Sequence, residues 1–355
     1  MSGRAGPAPG DPHRPRHLVA ALTGLVALAL AATVLAIVGA GSPSASSAPM
    51  HAPPPLLGTG APLSSAYVGR PCFGAAAHDP LHPCVNRGLR LVVTPPPARA
   101  ALERNAVCAP EGPGGLLLPC AFGVPAASAR DTFALIGDSH ASVWRAPLQR
   151  VAEAEHWRGI SLTRSSCPLN STPALLPDPA GPECVRWNAL VLGWLRAHPE
   201  VHTVFLAQHS GGRVLHPVSM TGPEAQAAGY RQTWTALPAS VRRIFVIRDT
   251  PRGTARSAAC IARAVARGVP AGPACAVPRS FALKPDPALA AALAGGLPRV
   301  RVINLTRYMC DLRVCPPVIG GALVHRDIDH LTQTFAATLA PYLQARVEAV
   351  LARTP

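Results

Sequence analysis

Residues 131–355 predict an α/β domain built on a parallel sheet. Two observations point there. Five short β-rich runs, at 132–136, 159–163, 201–207, 243–247 and 300–305, alternate with helical stretches near 141–156, 184–198, 223–236, 254–268 and 286–294. The runs are apolar enough to be buried on both sides, as strands beneath two helical layers must be. A last helical stretch covers about 332–352, with Pro341 set to kink or restart it, because proline lacks the N–H that a helix interior uses. In such sheets ligands bind beyond the carboxyl ends of the strands. The loops that follow the five runs are therefore where chemistry is expected.

The 355 residues suffice for one medium domain with appendages, or for two small domains. Residues 18–40 are apolar and uncharged, 23 in a row, where roughly 20 cross a bilayer. Arg4, Arg14 and Arg16 precede them, which places residues 1–17 in the cytoplasm and the remainder outside. A cleaved signal peptide is the competing reading, with a small-residue site at Ala45-Ser46-Ser47-Ala48, but its apolar stretch is usually shorter. Both readings export the domain. The expectation is a single-pass cell-membrane protein with its main domain extracytoplasmic. Residues 41–66, rich in Pro, Ser, Ala and Gly, form a linker, and 67–130 form an irregular Cys- and Pro-rich lead-in.

Ten cysteines in an exported chain predict disulfides. Consecutive cysteines lie close in sequence, which pairs Cys72 with Cys84, Cys108 with Cys120, Cys167 with Cys184, Cys260 with Cys275 and Cys310 with Cys315. No CxxC pair or metal-like His/Cys spacing appears, so no metal site is expected. There is no GxGxxG after a strand and no Walker sequence, so no nucleotide cofactor is expected either. The net charge is +15, but the arginines are scattered and aromatics make up only 5%. That pattern argues against nucleic acid, which calls for basic patches and stacking platforms. A solvated surface or an anionic cell-wall polymer fits better.

The first β-rich run ends in Gly137-Asp138-Ser139-His140 and passes into a helix. A serine at such a turn stands exposed at the sheet edge, and its own N–H lies at a helix N-terminus, where partial positive charge favours an oxyanion. An ordinary capped turn would look the same, so a partner is needed. Near the C-terminus stands Asp327-Ile328-Asp329-His330, after the last run and before the final helix. An Asp three residues before a His folds back to meet the imidazole. Asp327 then orients His330, and His330 takes the proton of Ser139. Asp329 is the rival orienter, but a side chain adjacent to His330 is badly placed to reach its ring.

These residues resemble the SGNH, or GDSL-like, hydrolase superfamily. The chain is similar more narrowly to the extracytoplasmic SGNH domain attached to acyltransferase-3 family O-acetyltransferases. The narrower likeness rests on Ser165-Ser166-Cys167-Pro168, Cys184 with Trp187-Asn188, 201–207 before Gln208-His209, and Ile247-Arg248-Asp249-Thr250-Pro251. It rests further on Cys260, Cys275, the Cys310/Cys315 pair and Asp327-x-x-His330-Leu331, and covers about 131–345, more loosely from 67. The resemblance implies a flavodoxin-like three-layer α/β/α fold with a five-stranded parallel sheet. It also implies serine-based acyl-ester chemistry on a cell-surface glycan, with Ser139 as nucleophile, His330 as base and Asp327 as orienter.

The chain departs from the resemblance twice. Superfamily members usually supply a Gly after the second strand and an Asn after the third as oxyanion donors. Here those sites read Arg164-Ser165-Ser166 and Ala207-Gln208-His209-Ser210. A backbone N–H near Ser166, and Gln208 or His209, are the candidate replacements. The fused relatives also carry a multi-helix membrane acyltransferase, where one apolar helix is read here. The expectation is a surface esterase, or a transferase fed by a separate multi-helix membrane acyltransferase. The altered oxyanion positions motivate one alternative, a non-catalytic glycan-binding or accessory subunit.

Overall fold

The computed structural model describes residues 69–353. The cytoplasmic segment expected at 1–17, the anchor at 18–40 and the linker at 41–66 lie outside the described residues. Among the described residues, no helix is long and apolar enough to cross a membrane.

The strands run β1 (Ala109–Pro110), β2 (Cys120–Gly123), β3 (Asp131–Gly137), β4 (Trp157–Thr163), β5 (Val201–Ala207), β6 (Arg243–Ile247), β7 (Val277–Pro278) and β8 (Val300–Ile303). All but β7 share one sheet, in the order β1-β2-β4-β3-β5-β6-β8. The five strands from β4 to β8 along that order are parallel. The chain goes from β3 to β4 on one side and then crosses to β5 on the other. The order therefore reverses between β3 and β5, the switch point at which open α/β sheets form their ligand crevice.

The expected five-stranded sheet is thus corrected to seven strands, the two extra ones antiparallel. They come from the lead-in read as irregular. β1 and β2 pair with each other, the Cys108–Cys120 disulfide ties them, and β2 runs antiparallel to β4. The docking has a packing cause. A side chain on Gly159 of β4 would come within 2.6 Å of the Phe122 ring. Without one, Phe122 of β2 meets the Phe133 ring edge-on at 5.4 Å. Strands of two and four residues are too short to show periodicity, which is why the sequence hides them.

Alternate residues of each central strand serve opposite faces. Phe133, Leu135, Phe205 and Phe245 pack under the helices Arg145–Glu155 and Ala340–Leu351. Ala134, Ile136, Val204 and Ile244 pack under Ala180–Ala197 and Gly222–Thr235. This is a three-layer α/β/α domain. The last helical stretch breaks at Leu339 into Gln333–Thr338 and Ala340–Leu351, with Pro341 in the first turn of the second, where its missing N–H costs nothing. All five expected cysteine pairs are disulfide-bonded.

The lead-in also clamps the C-terminal loop. Glu103 accepts from the Gln333 N–H at 2.7 Å and from the Thr334 hydroxyl at 3.0 Å, and its carbonyl accepts from Arg326 at 3.1 Å. Removing that carboxylate strands donors on a partly buried helix end. Glu103→Ala is expected to lower stability by about 1–3 kcal/mol, read as a fall in the urea midpoint of the oxidised protein. An unchanged midpoint would show that Glu103 holds nothing.

Candidate active site

Three strand ends and the C-terminal loop build the site. β3 ends at Gly137, and Asp138 caps the short helix Ser139–Val143 by accepting from the His140 N–H at 2.9 Å. The other Asp138 oxygen accepts from the His209 N–H at 2.9 Å, joining the ends of β3 and β5. Burial pushes the Asp138 carboxyl above its usual range. The loop after β6 reaches the same place. Thr250 donates to the Asp329 carbonyl at 3.1 Å, and the Gly253 N–H donates to the Ile328 carbonyl at 2.6 Å. Two backbone bonds flanking the antiparallel bridge between His325 and Leu331 close the C-terminal loop on itself, Arg326 N–H to His330 carbonyl and Thr332 N–H to Val324 carbonyl.

That framework brings Ser139, His330 and Asp327 into line. The Ser139 hydroxyl donates to His330 Nε2 at 2.8 Å, although the two lie 191 residues apart. His330 Nδ1 donates to Asp327 Oδ2 at 2.9 Å. The other Asp327 oxygen accepts from the backbone N–H groups of Asp329, at 3.0 Å, and His330, at 2.8 Å. Burial works to raise the Asp327 carboxyl, but the His330 ring and these two N–H groups outweigh it and hold it well below the usual carboxylate range. An ionised Asp327 fixes the proton on Nδ1 and leaves Nε2 free to accept from serine.

The oxyanion candidates fare differently. Ser166 adopts the left-handed conformation, with φ of 59°, and lines the same cavity as Ser139. Among the described residues, no acceptor engages the backbone N–H of Ser139 or of Ser166. Both remain available to a developing oxyanion. Gln208 is buried, 3% exposed, and neither of its side-chain polar atoms has a hydrogen-bond partner among the described residues. It is not among the residues that line the cavity. His209 does line the cavity, but its backbone N–H is spent on Asp138, so only its ring is available there.

Two residues of the site had no role in the sequence reading. His140 Nδ1 donates to Asp249 Oδ1 at 2.6 Å, with both side chains almost wholly buried. Asp249 Oδ2 accepts from the Ser210 N–H at 2.8 Å, so one carboxylate locks the loops after β3, β5 and β6 together. Burial alone would push the His140 imidazole down; Asp249, with Asp138 and Asp329 nearby, overrides it and raises it to about 9. Asp249 moves the opposite way: burial raises it, and His140 and Ser210 bring it below its usual range. The rejected orienter, Asp329, also faces inward. Its carboxylate lies 3.4 Å from His330 Nδ1, 3.5 Å from His209 Nε2 and 3.9 Å from His140 Nε2. A position beside His330 in sequence is thus no bar to reaching its ring, because the loop turns back on itself there.

The cavity has a volume of about 260 Å³. Ser139, His330, Asp329 and His209 are among its lining residues. Pro168, Ala174, Leu176, Val214 and Tyr230 supply apolar wall, and Arg213 stands at its exposed rim. The arrangement can activate a hydroxyl, accept an anion on two free N–H groups and hold a small apolar group. Those are the requirements of acyl transfer.

A family model described as "SGNH domain (fused to AT3 domains)" matches residues 107–345. A search of curated proteins gives no match. Among solved structures, the chain is similar to the periplasmic domain of a lipopolysaccharide acetyltransferase from Salmonella ser. Paratyphi A. The identity is 14% and the TM-score 0.47, over 65% of this chain and 90% of that one. A likeness that distant has no bearing on function.

Proposed function

This chain belongs to the SGNH domain family, and we propose that it is a serine esterase or O-acyltransferase working outside the cytoplasm on acyl esters of a cell-surface glycan. The observation that carries the reading is the relay from Ser139 through His330 to Asp327, with both contacts below 3.0 Å. Ser139 Oγ attacks the acyl carbonyl carbon while His330 Nε2 takes its proton. The backbone N–H groups of Ser139 and Ser166 receive the oxyanion. The bond from carbonyl carbon to the donor's oxygen breaks, and His330 returns its proton to that leaving oxygen. Acyl-Ser139 remains. Water or a sugar hydroxyl then attacks it, His330 takes the attacker's proton, and that proton goes back to Ser139 Oγ.

Two features favour a short acyl group outside the cell. The apolar wall and small volume of the cavity suit acetyl rather than a fatty chain. Five disulfides suit an oxidising compartment. In the transferase version, a separate multi-helix membrane acyltransferase supplies the acyl group, and the segment at 18–40 tethers the domain beside it.

The test is covalent. The oxidised full chain, treated with a fluorophosphonate, is expected to gain one adduct per chain, mapped to Ser139 by peptide mass, and Ser139→Ala is expected to gain none. A folded wild type left unlabelled, or labelled elsewhere, would overturn the assignment and favour the accessory-subunit reading.

A further inference from the structure

We propose that His140, His209 and Asp329 form a binding site for a divalent transition-metal ion of the zinc class. The three side chains come from three separate segments, the short helix after β3, the loop after β5 and the loop ahead of the last helices, and their donor atoms all lie within 4.8 Å of one another. Two imidazoles and a carboxylate are the donor set of open zinc and iron sites, which keep one or more positions for an outside ligand.

The spacing separates this group from an ordinary hydrogen-bonded cluster. Asp329 lies 3.5 Å from His209 Nε2 and 3.9 Å from His140 Nε2. Both separations exceed the roughly 3.2 Å limit of a good N–H···O bond. Ligand atoms held at about 2.0–2.1 Å from a tetrahedral zinc stand about 3.3 Å apart. The His209–Asp329 separation is close to that value; the His140–Asp329 separation is wider, and closing it takes a shift of the partly exposed Asp329 carboxylate towards His140, with the His209 ring following.

A second observation points the same way. His140 is 3% exposed, its Nε2 has no hydrogen-bond partner among the described residues, and the residue lines the cavity that Ser139, His209 and Asp329 also line. Its other nitrogen is held by Asp249 at 2.6 Å. A carboxylate on the far nitrogen of a ligating histidine fixes the ring and raises its basicity, as in metal sites generally. Asp249 is in turn fixed by the Ser210 and Thr250 N–H groups. Nothing in the relay from Ser139 to Asp327 calls for this second, equally well built Asp–His pair.

Cobalt(II) is the probe, with a readout independent of ester turnover. The full chain in detergent, stripped with chelator and held at one fixed pH for every variant, is titrated with Co²⁺ while the visible d–d bands are followed. The expected result is saturation at one Co²⁺ per chain, displaced by Zn²⁺, with Ser139→Ala binding as wild type does. His209→Ala and Asp329→Asn are expected to abolish the bands, and Asp249→Asn to weaken binding about 10–100-fold. Circular dichroism confirms that each variant is folded. Absence of saturable binding in wild type would overturn the site, as would binding that survives both His209→Ala and Asp329→Asn.

Discussion

Ser139→Ala and His330→Ala are each expected to cut turnover of a small acyl ester by about 10⁴- to 10⁶-fold while leaving the fold intact. At about 1.4 kcal/mol per decade, that is some 5–8 kcal/mol of transition-state stabilisation. The size follows from the geometry. Serine is a poor nucleophile unless its proton leaves as the bond forms, and His330 Nε2 is the acceptor, 2.8 Å from Oγ. Because the two groups act as one unit, the double variant is expected to be no worse than either single one. Asp327→Ala is expected to cost less, about 10²- to 10⁴-fold, because Asp329 lies 3.4 Å from the nitrogen that Asp327 holds. Removing Asp329 as well takes away that substitute, and the further loss measures how well it stands in. Initial rates with 4-nitrophenyl acetate check all five variants. A Ser139→Ala protein within tenfold of wild type would remove the serine from the mechanism.

What the sequence shows and what it hides divide along physical lines. Strands β3, β4, β5 and β6 are apolar runs bounded by turn residues, so a period is visible and their limits shift by no more than two residues. Ser139, Asp327 and His330 sit in compact motifs at the ends of elements, so their types and spacing suffice to bring them forward as candidates. β1 and β2 carry no such signal, because they are two and four residues long and are held by pairing to β4, a disulfide and the Phe122 contact. The His140–Asp249 pair spans 109 residues and the Asp138–His209 bond spans 71, and nothing local to either partner announces the other. The proposed metal-ligand group is hidden for the same reason: spacing rules find ligands that share one helix or one loop, and these three occupy one helix and two separate loops. Gln208 shows the converse limit. Its place at the end of β5 is legible, but its burial outside the cavity lining depends on how the surrounding elements pack, which no local motif encodes.

Gly137→Ala is expected to be the most damaging change at the site that leaves every functional side chain in place. Gly137 has φ of 149°, a region that residues with a Cβ rarely adopt. A Cβ placed there would lie 1.9 Å from the Ala207 carbonyl oxygen and 3.0 Å from the Ala141 Cβ. The first obstacle is backbone, not a flexible side chain, so relief requires β5 to move away from β3. That movement would strain the parallel pairing of Gly137 with Ala207 and the bond from the His209 N–H to Asp138. Backbone strain and a steric overlap of this kind add to about 3 kcal/mol or more. Gly268 supplies the control. It too has positive φ, 62°, but a Cβ there meets nothing within 4 Å, so Gly268→Ala carries only the conformational cost, about 1 kcal/mol. Urea unfolding of the two oxidised variants separates the contributions, and ester turnover of Gly137→Ala at temperatures where it stays folded reports the shift of the β5 loop. Equal midpoints for Gly137→Ala and Gly268→Ala would show that β5 yields freely. The close approach of the two strand ends would then not be what sets the distance between Ser139 and the loop that faces it.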